Sequence, residues 1–284
     1  MHTTLVDTDT LAAHLSDWVI IDCRYDLKDE AWGRAHYLAG HIPGASYASL
    51  SHDLSTTPDG TNGRHPLPSP DAMAETFSRF GIGPGAQVAV YDQDDGRYAS
   101  RLWWMLRYMG HEAVAVLDGG WARWTREGRP VRGGEETHPR STFHGRPQQG
   151  ARLQVNEVER LIGDSRTLLV DARAPERFEG RNETLDRAAG HIPGAANHFY
   201  QWNVGPDGTM LPPERLREQF QTVLRGYGPE QVVMYCGSGV TACQNLLAME
   251  HAGLRGARVY PGSWSEWSSD PARPIETTAQ RSER

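Results

Sequence analysis

At 284 residues the chain is long enough for two modest domains, each able to bury a core of its own. Its 29 basic and 36 acidic side chains leave a formal charge of −7 with no long basic run, so nothing supplies the electrostatic footprint that binding a phosphate backbone requires. No stretch approaches the roughly 20 apolar residues that span a bilayer, and the opening MHTTLVDTDT has neither the basic nor the apolar region of a secretion signal, so a cytoplasmic protein with no nucleic-acid or membrane partner is expected.

The first apolar run, Trp18–Ile21, has the length of a buried strand and leads into Asp22 and then Arg24. AGHIPGA follows at 39–45, where Ile-Pro-Gly predicts a rigid turn. Val88–Tyr91 is a second buried strand, closed by Asp92; Ser100–Tyr108 has a helical pattern, and DGGWARW ends at Trp124. Residues 136–150 are polar and carry Gly and Pro, as a linker does. Beyond them the same landmarks return. The strand Leu168–Val170 leads into Asp171 and Arg173, AGHIPGA recurs at 189–195, and Val232–Tyr235 is closed by Cys236; PGSWSEW ends at Trp267, and helical patterns fall at Leu216–Leu224 and Ala242–His251.

Four landmarks recurring in one order, at offsets of 149, 150, 144 and 143 residues, mark an internal duplication. The domains are therefore expected at 1–135 and 151–284, each an α/β unit with a mainly parallel sheet flanked by helices. In such sheets ligands sit beyond the carboxyl ends of the strands. The residues following each apolar run are thus the ones to inspect.

Cys236 opens the stretch Cys236-Gly237-Ser238-Gly239-Val240-Thr241-Ala242 between a strand and a helix. Backbone N–H groups of such a loop, and the positive end of the helix dipole, stabilise an anion and raise the thiolate fraction of a cysteine placed there. Gly237 and Gly239 suit a tight loop that needs positive φ at some positions. A cysteine buried only for packing needs no such loop. Cys23, Cys236 and Cys243 cannot all pair, and they form no CxxC or Cys/His cluster, so a reducing compartment with at least one free thiol is expected, and no metal site. Cys243, on the following helix, has the place of a core residue.

The duplicated HIPGA, the Asp-x-Arg after a strand, the late GSW and above all CGSGVTA resemble the two-domain rhodanese family, the thiosulfate and 3-mercaptopyruvate sulfurtransferases, over almost the whole chain. The resemblance implies tandem rhodanese-like domains in which the C-terminal copy is catalytic through Cys236 and the N-terminal copy, with Asp92 at the matching position, is silent. Gly237 and Ser238 are the form associated with 3-mercaptopyruvate; thiosulfate-preferring members carry two basic residues there. Arg177, in PERFEG, matches the family's first substrate arginine, while the second would fall at Asp186, leaving Arg187 or Arg181 as substitutes. The resemblance also places Gly237, Gly239, Val240 and Thr241 in the loop around the sulfur. Tyr98, with Tyr25, would form an aromatic wall beside it.

Ser238 is a candidate to bond the substrate or relay a proton, or is a small loop residue; Thr241 binds substrate or caps the helix with its hydroxyl. His41 is a candidate proton-transfer residue, although its counterpart His191 points to a structural place in the turn for both. Asp22 and Asp171 are expected to pair with arginines, and Trp264 and Trp267 to pack the final loop. The expected reaction, as the resemblance implies it, takes sulfur from 3-mercaptopyruvate onto Cys236 as a persulfide, releases pyruvate, and hands the sulfur to cyanide, a thiol or a thioredoxin-like dithiol protein, with no cofactor. Thiosulfate:cyanide sulfur transfer and a carrier without turnover are the competing readings. A Cys-x5-Arg phosphatase is disfavoured because Ala242 stands where the arginine belongs.

Overall fold

In the computed structural model, which describes residues 1–278, the chain forms two compact α/β units. The first contains β1 (Leu5–Val6), α1 (Thr8–Ala13), β2 (Val19–Asp22), α2 (Glu30–Ala39), β3 (Ala45–Tyr47), α3 (Pro70–Arg79), β4 (Val88–Tyr91), α4 (Ala99–Tyr108), β5 (Val114–Leu117) and α5 (Gly120–Arg126). Its strands make a parallel sheet in the order β1-β5-β4-β2-β3. Every residue of β4 and β5 is buried, which is why these runs read as continuous apolar stretches, Val-Ala-Val-Tyr and Val-Ala-Val-Leu, without alternation.

The second unit contains α6 (Val155–Leu161), β6 (Leu168–Asp171), α7 (Pro175–Phe178), β7 (Ala196–Asn197), α8 (Pro213–Leu224), β8 (Val232–Tyr235), α9 (Thr241–His251), β9 (Arg258–Val259) and α10 (Ser263–Trp267), with 3₁₀ turns at Tyr200–Asn203 and Pro229–Gln231. Its parallel sheet runs β7-β6-β8-β9, matching β3-β2-β4-β5 of the first unit. Where the first unit has β1, the second keeps a single parallel bridge from Arg152 to Val259. No helix among the described residues is long and apolar enough to cross a membrane.

Two segments depart from chain order. Residues Thr57–Leu67 pack with the second unit, and Val204–Met210 with the first. The first of these carries Arg64 and His65 to the loop that follows β8.

The repeated landmarks hold the same places in both units. Asp22 takes both oxygens to Arg24 and accepts from the Tyr91 hydroxyl, while Arg24 also donates to the Gly40 carbonyl at 2.7 Å. Asp171 and Arg173 repeat this pair, with Arg173 donating to the Gly190 carbonyl at 2.7 Å. Each arginine thus ties a strand end to its HIPG turn, and both pairs are buried. Removing one partner would strand a buried charge, a loss of about 3–5 kcal/mol. Trp264 and Trp267 are fully buried in the core of the second unit, donating through Nε1 to the carbonyls of Ala188 and Pro274.

Candidate functional site

Cys236 directly follows β8 and is 2% exposed. Its N–H donates to Ser263 Oγ at 3.0 Å, and its carbonyl accepts from the Trp264 N–H at 3.0 Å. The Gly237 carbonyl accepts from the Ser265 N–H at 2.8 Å. The carbonyl ends of the loop dipoles are therefore tied back to residues 264–265. Ser263 holds an unusual φ of +55°, and its Oγ donates to the Tyr260 carbonyl, so a strained turn fixes the donor end of this clamp. α9 begins at Thr241 behind Val240, whose side chain makes no capping hydrogen bond. The expectation that Thr241 caps the helix is thus corrected: it is already the first helical residue, one position too late to cap.

The two glycines of the loop serve different ends. Gly239 has φ +73°, and a Cβ there would collide with the Pro261 carbonyl oxygen. Gly237 has no positive φ, contrary to the simplest reading of its place in the loop. It is small because guanidinium groups lie over it: a Cβ would sit 2.8 Å from Arg64 Nη2 and 3.5 and 3.6 Å from Arg177 Nη1 and Nη2.

Around the loop the side chains form a connected set. Ser238 is 6% exposed, and its Oγ lies 2.8 Å from Nδ1 of buried His65. Arg177 is held by Glu183 through Nε and Nη2 and by Asp186 through Nη2 at 2.9 Å; Arg64 is held through Nη1 by the same Asp186. Glu183 also reaches Arg173. Burial works against charge on Glu183, but the Leu185 N–H and Arg177 hold its carboxyl below the usual range. Burial pushes the Asp186 carboxyl up against the pull of Arg64.

Not every expected residue is gathered here. Arg187 is exposed and donates to the Ser269 carbonyl at 3.3 Å, and Arg181 pairs with Glu179 at the surface. Both point their charge elsewhere, so neither is placed to substitute for the second arginine. His41 lies in the first unit, fully buried, with Nδ1 2.8 Å from the Tyr37 carbonyl and its ring stacked on Tyr37. His191 makes the same pair of contacts with Phe178. That shared geometry is a packing role, and it does not favour a catalytic His41. Tyr98, also in the first unit, is buried against Tyr25 in an edge contact of 5.6 Å. Cys243 is buried with Sγ 3.3 Å from the Gly239 carbonyl, and burial with Asp22 and Asp92 nearby pushes the Cys23 thiol well up.

The first unit shows what the repeat does without a cysteine. Asp92 follows β4 as Cys236 follows β8, and its carboxylate accepts from the N–H groups of Asp94 and Gly96 through Oδ1 and of Tyr98 and Ala99 through Oδ2, at 2.7–3.2 Å. A fixed carboxylate thus occupies the loop's inward amides. Burial and Asp95 push its carboxyl up to about 6, although the amides of Ala99 and Tyr98 pull it down. Because the folded-state value lies above the ordinary 3.8, the folded protein binds this proton more tightly, and the stability it brings is lost as pH rises through about 6. Urea unfolding of wild type and Asp92→Asn between pH 4 and 7 checks this. The wild-type stability relative to the variant is expected to fall across that interval, and a constant difference would contradict it.

Comparison with known proteins agrees with this geometry. The family description "Rhodanese-like domain" matches residues 7–127 and again 154–270, and the chain belongs to that family. A Pseudomonas aeruginosa protein named "Probable 3-mercaptopyruvate sulfurtransferase" is 42% identical over 277 residues, 96% of this chain and 98% of its own. The thiosulfate sulfurtransferase of Cricetulus griseus is 32% identical over 87% of this chain and 84% of its own. Among solved structures, the 3-mercaptopyruvate sulfurtransferase from Leishmania major superposes with a TM-score of 0.86 at 31% identity, covering 96% of this chain and 76% of that one.

Sequence reasoning did not single out His65 and its neighbour Arg64, which the structure brings to Ser238 and Gly237. The available signal was the polar Arg-His pair held between Gly63 and Pro66, with no counterpart in the second copy.

Proposed function

We propose that the chain is a sulfurtransferase that takes a sulfur atom from 3-mercaptopyruvate onto Cys236, releases pyruvate, and passes the sulfur to a thiophilic acceptor such as cyanide, a small thiol or a thioredoxin-like dithiol protein. The observation that carries this is the convergence, on one glycine-bearing loop, of a cysteine at a helix N-terminus, the Ser238–His65 pair and the Arg177 guanidinium. The N-terminal unit is silent in this reading because Asp92 already fills its loop. The three free thiols suit a reducing, cytoplasmic setting.

In the first step the Cys236 thiolate attacks the donor sulfur. The new S–S bond forms as the C–S bond breaks, and its electron pair passes to the carbon skeleton as the enolate of pyruvate. The enolate needs a proton. Ser238 Oγ, 2.8 Å from His65 Nδ1, is the group placed beside the loop to deliver it and be resupplied. The negative charge of the persulfide falls where the loop N–H groups and the N-terminal end of α9 favour an anion. The acceptor then attacks the outer sulfur and restores the thiolate.

The reading is tested by mixing the protein with 3-mercaptopyruvate, weighing it, and following pyruvate with and without acceptor. Expected are the mass of one added sulfur atom, lost on adding a thiol, and repeated pyruvate release. An adduct that never turns over would instead favour a carrier. Thiosulfate, run side by side, is expected to be the poorer donor.

A further inference from the structure

We propose that a cavity at the β7 edge of the second unit binds an amino-bearing purine nucleotide of the adenosine monophosphate type: His198 and Gln219 accept from the base, Trp202 stacks on its ring and Arg225 pairs with its phosphate. The cavity, of about 460 Å³, is lined from the end of β7, the 3₁₀ turn at Tyr200–Asn203 and the C-terminal half of α8. That volume is in the range of small-molecule sites. No residue lining it belongs to the loop of Cys236, so the proposal stands apart from the donor chemistry.

The tautomer of His198 is set by a chain of bonds that starts at a group able only to accept. The His198 carbonyl accepts from Asn245 Nδ2 at 2.8 Å, so the Asn245 amide presents Oδ1 to Asn203. Asn203 answers with Nδ2, at 2.7 Å, and shares the same group with Gln244 Oε1 at 2.9 Å. Asn203 Oδ1 is therefore the atom that meets His198 Nε2, at 2.8 Å, and Nε2 carries the proton. Burial pushes the ring's pKa down, although Asn203 pulls it up, so the imidazole is neutral. Nδ1 is left a bare acceptor on a side chain only 4% exposed, with no donor to it among the described residues. Gln219 Oε1, also buried, is a second acceptor without a partner among the described residues. Two buried acceptors lacking donors call for a ligand that donates twice, as an exocyclic amino group does.

The other end of the cavity is cationic. Arg225 closes α8 in the left-handed region, at φ +50°, a conformation that costs a residue with a side chain and that the adjacent Gly226 adopts freely. Its guanidinium makes no ion pair or hydrogen bond among the described residues, and no acidic residue lines the cavity. Six helical steps separate Gln219 from Arg225, about 9 Å along the axis. Trp202, 45% exposed, offers an apolar ring beside them and stands edge-on to His198 at 5.7 Å. The ligand is therefore flat, donates hydrogen bonds at one end and carries an anion about 9 Å away. An aromatic amino acid fails this description because its amine and carboxylate share one carbon. An aminated base, a ribose and a phosphate in series meet it.

The test titrates the full chain calorimetrically with adenosine monophosphate, inosine monophosphate, adenosine and ribose phosphate. Adenosine monophosphate is expected to bind with a Kd on the order of 10 μM, the ordinary efficiency for a ligand of its size. Inosine monophosphate, with a carbonyl in place of the amine, is expected to bind about 10-fold more weakly. Gln219→Leu should narrow that difference to about 2- to 3-fold and keep the fold, since the oxygen it removes has no partner among the described residues. Arg225→Gly, which relieves the backbone strain, should weaken adenosine monophosphate about 10-fold, to the level of adenosine. Trp202→Ala should weaken the base-bearing probes and leave ribose phosphate unmoved. A Kd above about 1 mM for adenosine monophosphate, ribose phosphate binding equally well, or affinity untouched by both Gln219→Leu and Arg225→Gly would each overturn the proposal. So would displacement by excess pyruvate, which would put the nucleotide at the loop of Cys236 instead.

Discussion

Cys236→Ser abolishes donor-dependent pyruvate release, lowering kcat/KM on the order of 10⁴-fold or more while the unfolding midpoint stays close to wild type. The expected loss follows from the chemistry of the atom. A serine hydroxyl stays protonated where a thiolate forms, and oxygen makes no stable counterpart of a persulfide. The fold tolerates the change because the backbone of residue 236, through its N–H to Ser263 and its carbonyl to Trp264, anchors the loop, and a hydroxyl is smaller than a thiol. Neither remaining cysteine can replace it. Cys23 is buried after β2 with its thiol held protonated by burial and the nearby Asp22 and Asp92, and Cys243 is buried on α9 against the Gly239 carbonyl. Steady-state pyruvate assays beside thermal unfolding check both halves. A serine variant that retained activity would remove the central claim about this site.

Much of the fold was legible because its signals are local and repeated. Val88–Tyr91 and Val232–Tyr235 are strands at the bounds their apolar runs set, since a strand buried on both faces admits only such residues. The Asp-x-Arg pairs were legible for a related reason: a charged group at a buried strand end needs a partner, and the nearest guanidinium lies two residues on. Cys236 was legible because only its loop, of two equivalent loops, carries a thiol where the other carries Asp92. What stayed hidden depends on contacts that no local rule encodes. Arg64 and His65 belong by sequence to the first copy, yet their segment packs with the second unit. Asp186 looked like a defect in the donor site. In the structure it is the anchor between two arginines, one from each half of the sequence. Gly237 was expected to answer a backbone need and answers a side-chain one.

That difference between the two glycines gives the second large expected effect. Gly239→Ala is expected to cost about 3 kcal/mol of stability or more and to abolish turnover, whereas Gly237→Ala keeps near-wild-type stability. At residue 239 two penalties coincide. The backbone holds φ +73°, which an L side chain rarely adopts, and the added Cβ meets the Pro261 backbone, with its carbonyl carbon and Cα both 2.8 Å away. Pro261 leads into Gly262 and Ser263, whose turn anchors the N–H of Cys236, so relieving the clash shifts the very residues that fix the nucleophile. Relief at 237 is inexpensive because the atom in the way is the tip of a long arginine. Urea midpoints for both variants, read beside the persulfide mass, separate the two cases. Equal destabilisation of the two would show that the clamp between residues 236–239 and 261–265 does not set the loop, and that its shape is fixed from the α9 side instead.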